Sequence, residues 1–230
     1  MKDLIDLRRR VLLSHGVAAV ALVAAPCTRA RGNGDSSTAV ALLTLAHGLL
    51  QGLHGTRLAE FLEDWPSDFG PRQVPSALVP AVRWLPRLQD AAPRFSASFV
   101  AALAVAAPAL EWRRSYSAEA VGAEFFRNYG WTELAGLSGP VPSEHLACGV
   151  LVLGPGLTYP PHRHEAEEIY VPLSGAAEWR QGRGAWRVRP PGSVIHHSSN
   201  EPHAMRTGRD ALLALYLWRS ENLAQKSRLD

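Results

Sequence analysis

Cysteine is scarce in this 230-residue sequence: Cys27 and Cys148 are its only two, and neither sits in a metal-type spacing. Two cysteines cannot make a disulfide framework, and the usage fits a reducing compartment. Charge is also thin, at 20% of residues against 47% hydrophobic, which describes a globular chain with a sizeable core and excludes a disordered one. Long apolar runs are missing too. The best candidate, residues 11–25, is interrupted by Ser14, His15 and Gly16 and is shorter than the roughly 20 residues a membrane span needs. No internal repeat is visible, and no nucleic-acid-binding signature appears. The net charge of +3 does not supply one: Lys2, Arg8, Arg9, Arg10, Arg29 and Arg31 against Asp3 and Asp6 leave the chain beyond residue 31 slightly acidic. No nucleic-acid partner and no stable membrane span are therefore expected.

The length allows one large domain, or a domain with a substantial extension. Residues 1–31 form a basic and apolar segment that reads either as a helix or as an export signal of the twin-arginine kind. Pro26 before Cys27 argues against a lipoprotein cleavage site. A cytoplasmic location is the expectation, with export to the periplasm as the alternative. Residues 32–135 read as a helical region packing on the C-terminal part of the chain. Leu42, Leu45, Leu49, Leu53, Leu58 and Leu62 recur at helical spacing, in one helix or two, with a break near Gly52 or Gly55. His47 and His54 fall near one face of it as polar-edge residues. Residues 66–76 are a Pro/Gly/Ser loop, and further helices are expected at 77–88, 94–107 and 117–128.

The pattern changes after Gly136. Short runs rich in Val, Leu, Tyr and Trp alternate with Gly and Pro about every ten residues, the pattern of an antiparallel barrel or jelly roll. Strands are expected at 146–153, 157–164, 167–173, 176–181, 185–189, 193–197, 203–207 and 211–219. Residues 136–222 then form the barrel and 223–230 a tail.

Chemistry concentrates in the run Tyr159-Pro-Pro-His-Arg-His-Glu-Ala-Glu-Glu-Ile-Tyr170. In an extended strand alternate side chains share a face, so His162 and His164 point the same way. Glu168, Tyr170 and Tyr159 can reach that face. Two imidazoles and a carboxylate converging on one point suit a divalent metal such as zinc or iron, with a position left open for chemistry.

The spacing of Gly156, His162, His164, Glu168 and Gly175 resembles the first signature of the cupin superfamily. The second signature fits when it starts at Gly192 and runs through Ser198-Ser-Asn200 and His203 to Thr207. Ser and Asn then replace Pro and Gly at a turn, where Asn tolerates a left-handed backbone, and Thr replaces the final Asn. The resemblance implies an α+β protein: a C-terminal single cupin β-barrel, an antiparallel jelly roll, under an N-terminal helical layer. It makes His203 the fourth ligand, not the conspicuous pair His196 and His197, one of which should face inward. The expected cofactor is a divalent metal ion such as Fe2+, Zn2+ or Mn2+.

The flanking residues narrow the resemblance. His162 to Tyr170, Glu178-Trp-Arg-Gln-Gly182 and the run 196–207 are similar to the cupin-type dimethylsulfoniopropionate lyases. That family implies a β-elimination of a sulfonium zwitterion, giving dimethyl sulfide and acrylate. It implies a metal that binds the substrate carboxylate, Tyr170 as the base, and Tyr159 orienting substrate or sharing the proton. Aromatic faces suit a sulfonium, and Trp179, Trp186, Tyr216 and Trp218, together with His197, are the expected substrate-binding residues. Competing readings are a ferrous dioxygenase of the cupin group and a non-catalytic metal-dependent small-molecule-binding cupin. Edge-to-edge pairing of such barrels leaves a homodimer open.

Overall fold

Ala39, Leu42, Leu43, Ala46 and Leu50 form the buried stripe of the first helix, α1 (Ser36–Gln51), in the computed structural model, which describes residues 36–67 and 70–230. The stripe follows the 3.6-residue period, but it is not the leucine register expected from sequence. Leu45 lies next to Ala46 in sequence, about 100° around the helix, and is exposed. The basic segment 1–31, with Cys27 and His15, lies outside the described residues. Gly52 ends α1, and α2 (Thr56–Glu63) buries Leu58 and Phe61. After the loop a 3-10 turn, Pro80–Trp84, leads into α3 (Leu85–Asp90), followed by α4 (Ala97–Ala106). Pro108, which cannot donate a backbone hydrogen bond, sits in the 3-10 turn that closes α4.

The expected helix over 117–128 is two short ones. A short strand β1 (Trp112–Arg113) precedes α5 (Ala118–Val121) and α6 (Ala123–Asn128), which are separated by Gly122 at φ +82. Then the sheet begins, earlier than position 136. β2 (Tyr129–Gly136) and β3 (Val141–Pro142) precede β4 (Leu146–Leu153). Gly130 looks like a helix stop in sequence. In the structure it is the point of closest packing: a Cβ there would lie 2.5 Å from Val79 Cγ2. The remaining strands fall where the alternation puts them: β5 (Thr158–Arg163), β6 (Glu167–Ser174), β7 (Ala177–Gln181), β8 (Arg187–Arg189), β9 (Ile195–His197), β10 (His203–Thr207) and β11 (Leu212–Arg219). The expected tail carries a further strand, β12 (Arg228–Leu229), paired with β5.

Two sheets result. One runs β1-β2-β4-β11-β6-β9 with β3 beside β2, and the other β12-β5-β10-β7-β8. All pairings are antiparallel except β2 with β3. The larger sheet is covered on both faces. Its outer face packs Leu134, Cys148, Val150, Val152, Ile169, Val171, Leu173, Leu213, Leu215 and Leu217 against α1–α4 in one apolar cluster. Two buried hydroxyls tie the layers: Ser96 donates to the Leu173 carbonyl and Ser174 to the Leu88 carbonyl, each at 2.6 Å. The inner face meets the smaller sheet in a second cluster rich in tyrosine and tryptophan. The fold is thus α+β, a cupin jelly roll under a helical layer. Among the described residues no helix is long and apolar enough to cross a membrane.

Candidate active site

β5 and β10 lie side by side, with His203 opposite His162. Pro160 and Pro161 cannot donate to the ladder, and β5 is paired on its far side by β12, where Leu229 meets His162. Asn200 takes φ +58 in the turn before β10, and its N–H binds the His164 carbonyl at 2.8 Å, as the left-handed turn expected there requires. Thr207, standing where the signature has Asn, donates its hydroxyl to the Gly154 carbonyl at 2.7 Å and so ties the turn before β5. His162, His164 and His203 come together with ring nitrogens within 4.8 Å of one another, all buried.

The hydrogen bonds fix how these imidazoles are protonated. Nδ1 of His162, His164 and His203 lies 2.9 Å from the carbonyls of Pro160, Ala166 and Glu201 respectively. A carbonyl only accepts, so each Nδ1–H must donate, which turns each Nε2 toward the cluster as the nitrogen a metal would use; His164 Nε2 is hydrogen-bonded to Glu168 Oε2 at 3.0 Å. Glu168 then presents Oε2 at 3.0 Å to Nε2 of both His164 and His203. The contact to His203 Nε2 lacks hydrogen-bond geometry, so that buried nitrogen has no partner. Donor atoms crowded this closely suit a cation among them. A separation near 3 Å is the distance between two donors at roughly 90° on one ion with bonds of about 2.1 Å. The donor set therefore fits a divalent metal ion.

Each imidazole is also backed by an aromatic plate. Tyr159 stacks on His162 with centroids 4.0 Å apart, Trp218 on His164 at 4.1 Å, and His197 on His203 at 4.1 Å. Trp218 donates its indole N–H to Glu168 Oε1 at 2.6 Å, leaving Oε2 to face the histidines. Burial, reinforced by His203, pulls His162 down to about 3, and burial pulls His197 down to about 2. Burial alone would raise Glu168, but His164 and His203 hold it well below the usual carboxylate range.

A cavity of about 640 Å³ opens beside the cluster, lined among others by His162, Tyr159, Tyr170, Tyr216 and Trp218. Tyr170 is buried, and desolvation followed by the charge of Glu168 pushes its phenol well above the ordinary value. The Tyr159 hydroxyl meets those of Tyr129 at 3.2 Å and Tyr116 at 3.3 Å.

Three of the expected substrate-binding residues are placed elsewhere. Trp186 lies outside the barrel between the guanidinium groups of Arg180 and Arg206, because it precedes the edge strand β8. Trp179 is buried behind Tyr170 with centroids 6.1 Å apart, and His197 is fully buried against His203; neither lines the cavity. Tyr216 and Trp218 do. His196 faces outward, 3.3 Å from Glu167. Sequence reading missed Tyr129, Trp131 and Glu133 on β2, and the wall built by residues 223–227. The alternation Tyr129, Trp131, Glu133 was the available signal, hidden by Gly130 and Gly136.

Known proteins share this arrangement of helices and barrel. The dimethylsulfoniopropionate lyase family matches residues 57–214. The dimethylsulfoniopropionate lyase DddQ of Ruegeria pomeroyi is 40% identical over 124 residues, 54% of this chain and 60% of that protein. The putative dimethylsulfoniopropionate lyase DddL of Cereibacter sphaeroides is 35% identical over 119 residues, 51% of this chain and 49% of that protein. The matches thus span about half to three fifths of those curated relatives. The crystal structure of DddQ from Ruegeria pomeroyi superposes with a TM-score of 0.75 at 30% identity, covering 85% of this chain and 97% of that one. A structure from a study of the lyases RdDddP and RnDddQII gives 0.76 at 35% identity, covering 84% and 98%.

Proposed function

The chain belongs to the dimethylsulfoniopropionate lyase family, and from that premise we propose that it cleaves dimethylsulfoniopropionate to dimethyl sulfide and acrylate. The observation that carries this is the set of three buried imidazoles that turn Nε2 toward Glu168, beside a cavity that Tyr170 lines. His162, His164, Glu168 and His203 would hold the metal, and three nitrogens with one carboxylate suit Fe2+, Zn2+ or Mn2+. When bound, such an ion would supply the positive charge that receives a substrate carboxylate, stabilises charge growing at the α-carbon and offsets the burial that keeps Tyr170 neutral.

The chain's own residues do the rest. Tyr170, ionised to the phenolate with its own proton released to solvent, takes the α-proton at Oη; the Cα–H electron pair becomes the Cα–Cβ double bond, and the Cβ–S bond breaks with its pair going to sulfur. Dimethyl sulfide leaves neutral, so no acid is needed. Tyr159, held by Tyr116 and Tyr129, orients the substrate above His162. The rings of Tyr216 and Trp218 face the sulfonium. The test is headspace dimethyl sulfide from purified, metal-loaded protein under anaerobic conditions. Release from the wild type is expected. Its absence overturns the proposal, and oxygen uptake in its place points to dioxygenase chemistry.

A further inference from the structure

Glu133 stands apart from the histidine cluster and from Tyr170. It lines the cavity on β2, away from the histidines. Its Oε1 accepts from the backbone N–H groups of Ser138 at 2.7 Å and Gly139 at 2.6 Å, which fixes the plane of the carboxylate. Among the described residues Oε2 takes no hydrogen bond, and no Lys or Arg lies within ion-pairing distance of either oxygen. The two nearby arginines are engaged elsewhere. Arg72 donates to the carbonyls of Gly136, Leu137 and Gly139, and Arg113 pairs with Glu111. A half-buried carboxylate without an ion partner is costly unless something cationic completes it.

The strand register shows what could reach it. Glu133 pairs with Gly149, Gly149 with Tyr216, and Tyr216 with Tyr170. Residues paired across strands share a face, so these four form one row along the cavity floor, about 14 Å between its end Cα atoms for three inter-strand steps. Gly149 makes room in the middle of the row for Tyr216, whose hydroxyl lies 2.5 Å from where a Cβ on Gly149 would stand. Tyr216 therefore leans toward Glu133, and Trp131 meets its ring edge-to-face with centroids 6.4 Å apart. The cavity has two ends: a cluster that fits a metal, which attracts a carboxylate, and a carboxylate beside Trp131 and Tyr216 on which Arg113, 5.7 Å from the Trp131 ring centroid, and Arg72 act from beyond ion-pairing distance, so that a cation can still make direct contact with it.

We propose that Glu133, with the rings of Trp131 and Tyr216, is the specificity pole of the site, selecting carboxylates whose β-substituent is a sulfonium or quaternary ammonium over neutral isosteres. This rests on the lyase reading for the class of ligand. The chemistry gives the kinetic signature. The positive charge is present on the substrate and absent from dimethyl sulfide, so Glu133 stabilises the ground state and cannot stabilise the transition state more strongly. Losing its charge raises KM and leaves kcat unchanged or slightly higher.

The test is Glu133→Gln, which keeps an acceptor for Ser138 and Gly139 while removing the charge. Binding to metal-loaded protein is measured by calorimetry with 3-(trimethylammonio)propionate and with its neutral carbon isostere 4,4-dimethylpentanoate. The wild type should prefer the cation. Glu133→Gln should weaken the cation by about tenfold, a typical scale for one partly desolvated charge contact, and leave the neutral ligand unchanged. Glu133→Asp should retain most of the preference. Trp131→Leu, which spares the Ser138 and Gly139 contacts, should erode it if Glu133→Gln fails to fold. Equal weakening of both ligands reduces Glu133 to a brace for residues 137–139 and overturns the proposal, as does an unchanged affinity for the cation. Neither readout needs turnover, so failure of wild-type dimethyl sulfide release, which would sink the lyase reading, is recognised separately.

Discussion

The two faces of the larger sheet are made by the same strands and carry opposite chemistry. In β11, Leu213, Leu215 and Leu217 point to the helices, while Leu212, Ala214, Tyr216 and Trp218 point into the barrel. In β6, Ile169, Val171 and Leu173 face the helices, and Glu168 and Tyr170 alternate with them on the other side. The outer face is aliphatic and needs only volume and apolar area. The inner face holds Glu168, Tyr170 and a row of aromatics, and it meets the three histidines that the β5–β10 pair of the smaller sheet brings across the barrel. Period-two alternation writes both messages in one stretch, and burying both faces lets a reactive site sit one residue from a conventional core. Even Cys148 falls on the inert side, fully buried among the helix-facing residues, so its thiol is kept away from the electrophilic product expected in the cavity.

Substitutions on the two faces should separate function from stability. His203→Ala on the inner side should abolish metal retention and cut dimethyl sulfide release by more than about 100-fold, beyond the usual cost of losing a supporting contact. Metal analysis of the purified protein alongside the rate checks both. Tyr170→Phe should lower kcat by about 10²–10⁴, the range for a general base, with metal content and melting temperature unchanged. On the outer side, Leu103→Ala should cost about 2–5 kcal/mol in denaturant unfolding while kcat per folded molecule stays constant. A loss of kcat from Leu103→Ala, or of several kcal/mol from Tyr170→Phe, would break the comparison.

Acid should probe the inner face of the metal-free protein. His162 at about 3 and His197 at about 2 are buried as neutral rings, chiefly by desolvation, whereas the unfolded chain takes up protons near 6.5. The unfolded state then binds more protons over the interval, so stability is full above about pH 6.5 and falls as pH drops toward 3. At pH 5 the loss is about 2 kcal/mol for each imidazole. Thermal melts at pH 7.5 and 5.0 should show it, and saturating metal should reduce it. The smallest effect is expected from Trp186→Ala. The ring lies outside the barrel between two arginines, so dimethyl sulfide release should be unchanged, with less than about 1 kcal/mol lost in stability.

Much of this was legible in the sequence, because alternation and turn residues are local signals. The strands from Leu146 to Arg219 fall within two residues of their expected limits, and Asn200 adopts the left-handed turn that its chemistry allows. The gathering of His162, His164 and His203 was legible through the resemblance to a family signature, whose spacing adds His203 to the pair near β5. What was not legible depends on contacts between distant segments. Gly130 reads as a helix stop because nothing local says that Val79 presses against it. Trp186, Trp179 and Tyr216 are indistinguishable as aromatic strand residues until the register decides which one faces the cavity. Glu133 lines the cavity through strand pairing alone, in a row where Gly149 makes room for Tyr216.

The central claim is that a buried histidine cluster and Tyr170 together eliminate dimethyl sulfide. It is tested most directly by titrating metal-free protein with a single divalent ion under anaerobic conditions while following dimethyl sulfide release, in wild type and in Tyr170→Phe. Release should rise in proportion to bound metal and reach its plateau near one ion per chain in the wild type. Tyr170→Phe should bind the same amount of metal and stay near baseline. Equal release from the metal-free protein, or full release from Tyr170→Phe, would contradict the account.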